Sequence, residues 1–472
     1  MISIATGHSN GRPIVSVRHV LFLAVAVRLL LPLLAIIITG GNALFHAQDT
    51  NSYVRPAVAL ISEGRFDRND EPEINRTPGY PILLIPGIAL GYVELITIIL
   101  QITLSALTVY LVYKITLLLF ERSDIAILSA FLYALEPLSI LYSSKLLSET
   151  LFTTLIAIFL YFLVRYWKKG SLALLVASAT ALAASVYVRP IAYYLPILVF
   201  VILFIWVLAT DRKNSTRLVY LGVFLLTSIG LIGIWQIRNK IETGYPGFSA
   251  AAEESLYYWD AASVLAVANG IPIDEMKNQM GFYDEEIYFR KFPNQRGWER
   301  SEILRSMGKE GLAIILNNPA TYSVLVSNGI LRTLLDPGAT EYLRMFRLYP
   351  EAGGLVDLFI ERGLISTIGF LIEEMPLVFW ANLLLGPLLV SYLLLAVLGL
   401  VRCSRALPMP MVLFSGLIAY FLVLSAVGIG IHRARHPIMP IICILAGYGL
   451  FRIASILKRK SFSNQAKLIP IS

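Results

Sequence analysis

Ten apolar runs, each long enough or nearly so to cross a ~30 Å hydrocarbon core, limit what this chain can become. They fall at about 19–39, 94–119, 125–142, 150–166, 171–188, 191–209, 217–236, 376–401, 411–431 and 438–457. Inside lipid every backbone group must find a partner within the protein, which leaves helices or closed barrels. Runs of this length read as helices. The expectation is an all-α polytopic membrane protein with about ten transmembrane helices. Of its 472 residues, 57% are hydrophobic and 15% charged, a balance rare in soluble domains of this size. The first run is followed by no small-residue cleavage pattern, so it reads as a retained helix. Cys403 and Cys443 lie in or beside membrane segments and offer neither a disulfide framework nor metal-type spacing.

Basic residues in the short connections orient the helices. With both termini in the cytoplasm, the inner side carries Arg12, Arg18, Arg122, Arg165, Lys168, Lys169, Arg212, Lys213, Arg217, Arg402, Arg405, Lys458, Arg459, Lys460 and Lys467. The outer short connections keep Lys145, Arg189, Arg433 and Arg435. Loop 41–81 and the long segment 238–375 then lie outside. That segment has a net charge of −6, so the rest of the chain carries +14 against an overall +8. The basic balance therefore reflects positive-inside loops and not a nucleic-acid partner. Three parts follow: an N-terminal membrane module at 1–237, a mainly helical extracytoplasmic region at 238–375, and C-terminal membrane helices with a cytoplasmic tail at 376–472. Within the middle part, 299–317 and 319–335 read as helices, the second starting at Asn318-Pro319, and 355–372 as an amphipathic stretch lying on the membrane. No repeat, Walker loop, dinucleotide fingerprint or zinc motif is present.

A chain that only crossed the bilayer would turn round in a few residues, yet 41–81 is about 40 residues long, polar, and rich in carboxylates and arginines. Asp49 follows the first helix, and Arg76-Thr77-Pro78-Gly79-Tyr80-Pro81 leads back to the membrane. Other outer connections bring Lys145 and Glu149, Arg189, Arg238, and His432-Arg433-Ala434-Arg435-His436 to the same face. Ionisable groups held at a membrane read first as a functional site. Arginine, lysine and histidine suit an anionic headgroup such as a phosphate. A separate carboxylate suits a general base that takes a proton from an attacking hydroxyl.

These residues carry a family resemblance. Asp49 with Tyr53, Ala57, Gly64 and RTPGYP resembles the first outer loop of the type C glycosyltransferases, especially the protein O-mannosyltransferases and lipid A aminoarabinose transferases. LEPLSILYSSKLLSETLF (135–152), SVYVRPIAYYLP (185–196), WQIRNKIETGYPGFS (235–249) and HRARHPIMPIICILAGYGL (432–450) fit in the same order. Nothing aligns through roughly 250–375. The resemblance implies transfer of a sugar, with inversion, from a polyprenyl-phosphate donor to an extracytoplasmic glycan, lipid or protein hydroxyl. It places a multi-pass enzyme in the plasma (inner) membrane, with no cofactor, no metal and no nucleic-acid partner. Asp49 would be the base. Arg76, Tyr80, Lys145, Glu149, Arg189, His432, Arg433 and Arg435 would contact substrate. Family members often have a second acid directly after the Asp; Thr50 stands there instead, which leaves Asp67, Asp70 or Glu149 as the partner carboxylate.

Plainer roles are open to each residue. Asp49 suits a turn at a helix end, Lys145 can snorkel to headgroups, Glu149 suits the first turn of a helix, and Arg189 precedes a proline at a helix junction. The two histidines fit local hydrogen bonds better than a metal. Arg28, inside the first span, either snorkels inward or pairs with another helix. The alternative functions are a lipid-linked glycan flippase or other transporter and a glycan polymerase or ligase. A transporter calls for internal repeats and broken helices near the midplane; here the charges crowd one face.

Overall fold

The computed structural model describes residues 16–210, 215–349, 363–404, 406–426 and 432–466. Helices dominate it, and their ends follow local chemistry. The helices α1 (Val17–Thr39), α2 (Thr50–Ser62), α3 (Gly79–Ala89), α4 (Val93–Phe120), α5 (Ser123–Ala134), α6 (Pro137–Tyr142), α7 (Glu149–Lys169), α8 (Leu172–Val188), α9 (Leu195–Thr210) and α10 (Ser215–Thr243) make the N-terminal module. α1 and α7 each stop at a left-handed glycine, Gly40 and Gly170, the usual way to end a helix without strain. The apolar run 125–142 divides because Pro137 starts a new helix, with the Glu136 side chain accepting the backbone N–H of Leu138 at 3.1 Å and Ser139 at 2.6 Å. Among the described residues the one ladder pairs Asp67–Arg68 with Glu71–Pro72.

Among the described residues, seven helices are long and apolar enough to cross a membrane, and four shorter apolar helices accompany them. Each of the ten predicted runs contains one of these; α3 is an eleventh that the reading of 41–81 as a loop did not foresee. The chain is a multi-pass, all-α membrane protein. Its polarity is inverted as lipid demands. Phe22, Leu226 and Leu384 face outward, whereas Arg28, Thr97, Gln101, Ser105, Thr108 and Ser129 are buried. Arg28 pairs with other helices: it donates to Ser105 Oγ (2.7 Å), Ser139 Oγ (2.7 Å) and the Ala134 carbonyl at the end of α5 (2.9 Å).

The region that follows α10 has its own small core of Tyr245, Tyr257, Tyr258, Met276, Tyr288 and Leu304, joined by Ile74 from the loop between α2 and α3. Helices Arg300–Asn317 and Pro319–Leu335 match the predicted pair. The stretch predicted at 355–372 lies partly outside the described residues; helix Leu364–Glu374 covers the rest. Helices Pro376–Cys403, Pro408–Leu424 and Met439–Ala466 complete the bundle, the last of them preceded by the 3-10 segment His432–Ile438.

Candidate active site

Two turns, one between α1 and α2 and one before α7, lie against each other at one end of the bundle. Leu146 N–H donates to Phe45 O at 2.8 Å. Thr50 Oγ1 accepts Ala47 N–H (2.8 Å) and donates to Leu146 O (3.1 Å). This stitching places Asp49, just before α2, beside Glu149, which opens α7. The loop's return strand is fixed from the other side. Glu73 Oε1 accepts Asn75 and Arg76 N–H at 2.7 and 3.0 Å, and Arg238 donates to Glu73 O and Phe66 O. At Gly79 a Cβ would come within 2.7 Å of Tyr187 O, so only glycine lets α3 approach the end of α8 here.

Five charged side chains from five segments then meet. Asp49 Oδ1 accepts Arg76 Nη2 at 2.7 Å, and Oδ2 accepts Arg433 Nη1 at 2.6 Å. Glu149 Oε1 accepts Arg189 Nη1 at 2.6 Å and a further bond from Arg433 Nε. Arg433 is therefore shared by both carboxylates. Glu149 Oε2 is buried without a protein partner. Exposure grades the cluster: the Asp49 and Arg76 side chains are 31% and 29% exposed, Arg189 and Arg433 19% and 17%, and Glu149 0%. The open side is thus the Asp49 side. Burial alone would raise the Asp49 carboxyl, but the Arg433 and Arg76 guanidiniums hold it well below the usual carboxylate range. Three guanidiniums against two carboxylates leave one positive charge in excess, a setting that accepts an anion.

The structure distributes the sequence-derived candidates unequally. Asp49, Arg76, Glu149, Arg189 and Arg433 come together. Tyr80 stands behind them: its ring meets Tyr53 edge-on at 5.0 Å, and Tyr53 lies under Arg76 at 4.8 Å. Lys145 turns away and donates to Leu44 O at 2.9 Å; burial lowers its pKa. His432 Nδ1 lies 2.9 Å from Asp336 Oδ2, and Arg435 donates to the carbonyls of Thr333 and Leu334. Neither reaches Asp49. Of the three possible partner carboxylates, Glu149 is the one joined to Asp49 through Arg433; Asp67 and Asp70 line a separate hollow beside α2.

Two residues escaped the sequence reading. Gln101, hidden in an apolar run, accepts the Tyr80 hydroxyl (3.0 Å) and donates to Lys145 O (2.7 Å), tying α3 and α4 to the 143–148 turn. A lone amide in a membrane helix was the available signal. Asp336, lost in the unaligned region, had none. Among the described residues, no three His, Cys, Asp or Glu side chains gather where they could share a metal ion.

A family model for dolichyl-phosphate-mannose-protein mannosyltransferases matches residues 75–235. No curated protein matches. The fold is similar to that of the archaeal oligosaccharyltransferase AglB from Archaeoglobus fulgidus, solved with an inhibitory peptide and a dolichol-phosphate, at 13% identity and a TM-score of 0.50 over 97% of this chain and 52% of that one. It is also similar to an Archaeoglobus fulgidus oligosaccharyltransferase tethered to an acceptor peptide, at 12% identity and a TM-score of 0.51 over 93% and 50%. The chain thus spans about half the length of these two enzymes. ArnT from Cupriavidus metallidurans bound to undecaprenyl phosphate aligns at 14% identity with a TM-score of 0.38, over 93% of this chain and 79% of that one. The chain is thus similar in sequence to the mannosyltransferase family over residues 75–235 and similar in fold to the two archaeal oligosaccharyltransferases.

Proposed function

We propose that the protein is a membrane glycosyltransferase that moves a sugar, with inversion, from a polyprenyl-phosphate donor to an acceptor hydroxyl at the extracytoplasmic face. The observation that carries this reading is the Asp49–Arg433–Glu149 bridge, flanked by Arg76 and Arg189 and open to solvent at Asp49. The oligosaccharyltransferase of similar fold was solved with a dolichol-phosphate, the class of ligand proposed here.

In this reading the donor phosphate lies against Arg433, with Arg76 and Arg189 at its sides. The acceptor hydroxyl attacks the anomeric carbon as the bond from that carbon to the phosphate oxygen breaks. The hydroxyl proton passes to Asp49, and polyprenyl phosphate leaves with its charge held by the guanidiniums. The resting cluster explains why the base is not wasted on water: two arginines keep Asp49 weakly basic until an anion competes for them. Donor binding would relax that hold and raise the basicity of Asp49 when it is needed. Glu149, fully buried, keeps Arg433 and Arg189 in register.

The test is transfer by purified protein in lipid nanodiscs, with radiolabelled polyprenyl-phosphate sugars offered against membrane fractions. Wild type should release polyprenyl phosphate and label an acceptor. Asp49→Asn preserves size and should lower transfer by ~10²–10⁴-fold with donor binding near normal. Wild-type turnover in Asp49→Asn, or no release from any donor, would sink the mechanism.

A further inference from the structure

Arg433 has to stand between two carboxylates that belong to different helices, yet it lies on a short 3-10 segment, His432–Ile438, and not inside a long helix. Such a segment has few hydrogen bonds of its own to fix a side chain. The three other polar side chains of this segment instead reach outward to three different elements. His432 Nδ1 lies 2.9 Å from Asp336 Oδ2, and its ring stacks on Tyr142 at 6.4 Å with 12° between the planes. Arg435 closes on the last carbonyls of helix Pro319–Leu335. His436 Nδ1 lies 2.6 Å from Thr153 Oγ1 in α7, and its ring meets Tyr142 edge-on at 5.3 Å.

The contact nearest Arg433 is the one to Asp336, and Asp336 is itself fixed. Its Oδ1 accepts Gly338 N–H at 2.8 Å. Gly338 has a φ of +74°, and a Cβ there would stand 2.7 Å from Leu138 Cδ2 and 3.1 Å from His432 Cδ2. Tyr342, a turn further on, donates to Pro137 O at 2.5 Å. The outer segment 333–345 is thus seated on the α6 turn and grips the residue that directly precedes Arg433.

We propose that Asp336, acting through His432, is a positioning residue that holds Arg433 between Asp49 and Glu149, so that the outer segment 333–345 sets the geometry of the cluster. For its effect on donor binding this rests on the function proposed above; for the placement of Arg433 it does not. His432 and Arg435, candidates for substrate contact in the sequence, become the two hands of this clamp.

The test compares wild type, Asp336→Ala, Asp336→Asn and Gly338→Ala as full chains in detergent. It measures amide hydrogen exchange across 432–438 and the affinity for undecaprenyl phosphate. Asp336→Ala should speed exchange at 432–438 and weaken undecaprenyl phosphate binding, each by roughly tenfold, the loss of one charge-assisted hydrogen bond. Asp336→Asn should restore most of both, because an amide still bonds the imidazole. Gly338→Ala, which pushes on His432 from its other side, should reproduce the defect. Unchanged exchange at 432–438 in Asp336→Ala overturns the clamp. So does faster exchange with unaltered affinity, or a loss of protection spread equally over 123–134 and 149–169. If wild type does not bind undecaprenyl phosphate, the proposed function fails at that point, and the exchange comparison still decides the clamp.

Discussion

Asp49 is held by two guanidiniums, and the sign of that interaction makes a prediction at the residue scale. Its folded pKa is depressed, so its ionised form stabilises the fold above the ordinary carboxylate range, and that contribution fades as pH falls through the folded value. Burial opposes the arginines and would raise the pKa if they left. In Arg433→Gln, therefore, the acid limb of the pH–rate profile should move upward, towards the usual Asp value of about 3.9, with Arg76 still holding it down in part. The same change leaves buried Glu149 with Arg189 alone, and the lost charge-assisted bond costs about 1.5–3 kcal/mol. A thermal melt should record that loss, and an acid limb that stays put would separate Arg433 from Asp49. The site was legible in part because ionisable residues at several helix ends share one face. Asp49, Arg76, Glu149, Arg189 and Arg433 satisfy that pattern and meet. Lys145, His432 and Arg435 satisfy it equally and turn aside, because a sequence places a residue along the chain without fixing its rotamer. Lys145 finds the Leu44 carbonyl, and Arg435 finds a helix C-terminus.

At the scale of elements, hydropathy located the ten long runs because lipid permits little else. It missed α3, whose Gly79, Pro81 and Pro86 read as turn residues. Their effect is different in context: Gly79 allows contact with α8, and Pro81 sits in the first turn, where its missing N–H costs nothing. Periodicity also gave no hint of how closely the helices pack, since that depends on which small residues face each other. Gly399 and Gly449 bring helices Pro376–Cys403 and Met439–Ala466 into backbone contact, and a Cβ at Gly447 would overlap Ser129 of α5. Small residues of this kind are what membrane helices use to approach. Gly447→Val should therefore cost about 1–3 kcal/mol or more through overpacking. Its thermal midpoint in detergent should fall, whereas Gly222→Ala, at an open position on α10, should melt like wild type.

The whole molecule is polarised along α7. Its first residue is Glu149, in the cluster, and its last are Lys168 and Lys169. Twenty-one residues at ~1.5 Å each span about 30 Å, the thickness of the hydrocarbon core. The cluster and the lysine end must then face opposite sides of the membrane, whichever way the protein is inserted. Positive-inside bias chooses between the two insertions. Arg122, Arg165, Lys168, Lys169 and Arg402 gather at the lysine end, while the region after α10 packs on Ile74 around its own core and segment 238–375 is net acidic. The expected arrangement puts the lysine end in the cytoplasm and the cluster outside. Cys403 and Cys443 are buried, so single cysteines can be introduced without removing them. A cysteine at exposed Trp298 should react with an impermeant maleimide on intact cells. One at exposed Lys169 should react only after the membrane is opened. The reverse pattern would put the cluster in the cytoplasm, out of reach of any acceptor outside, and would end the proposed function while leaving the fold untouched.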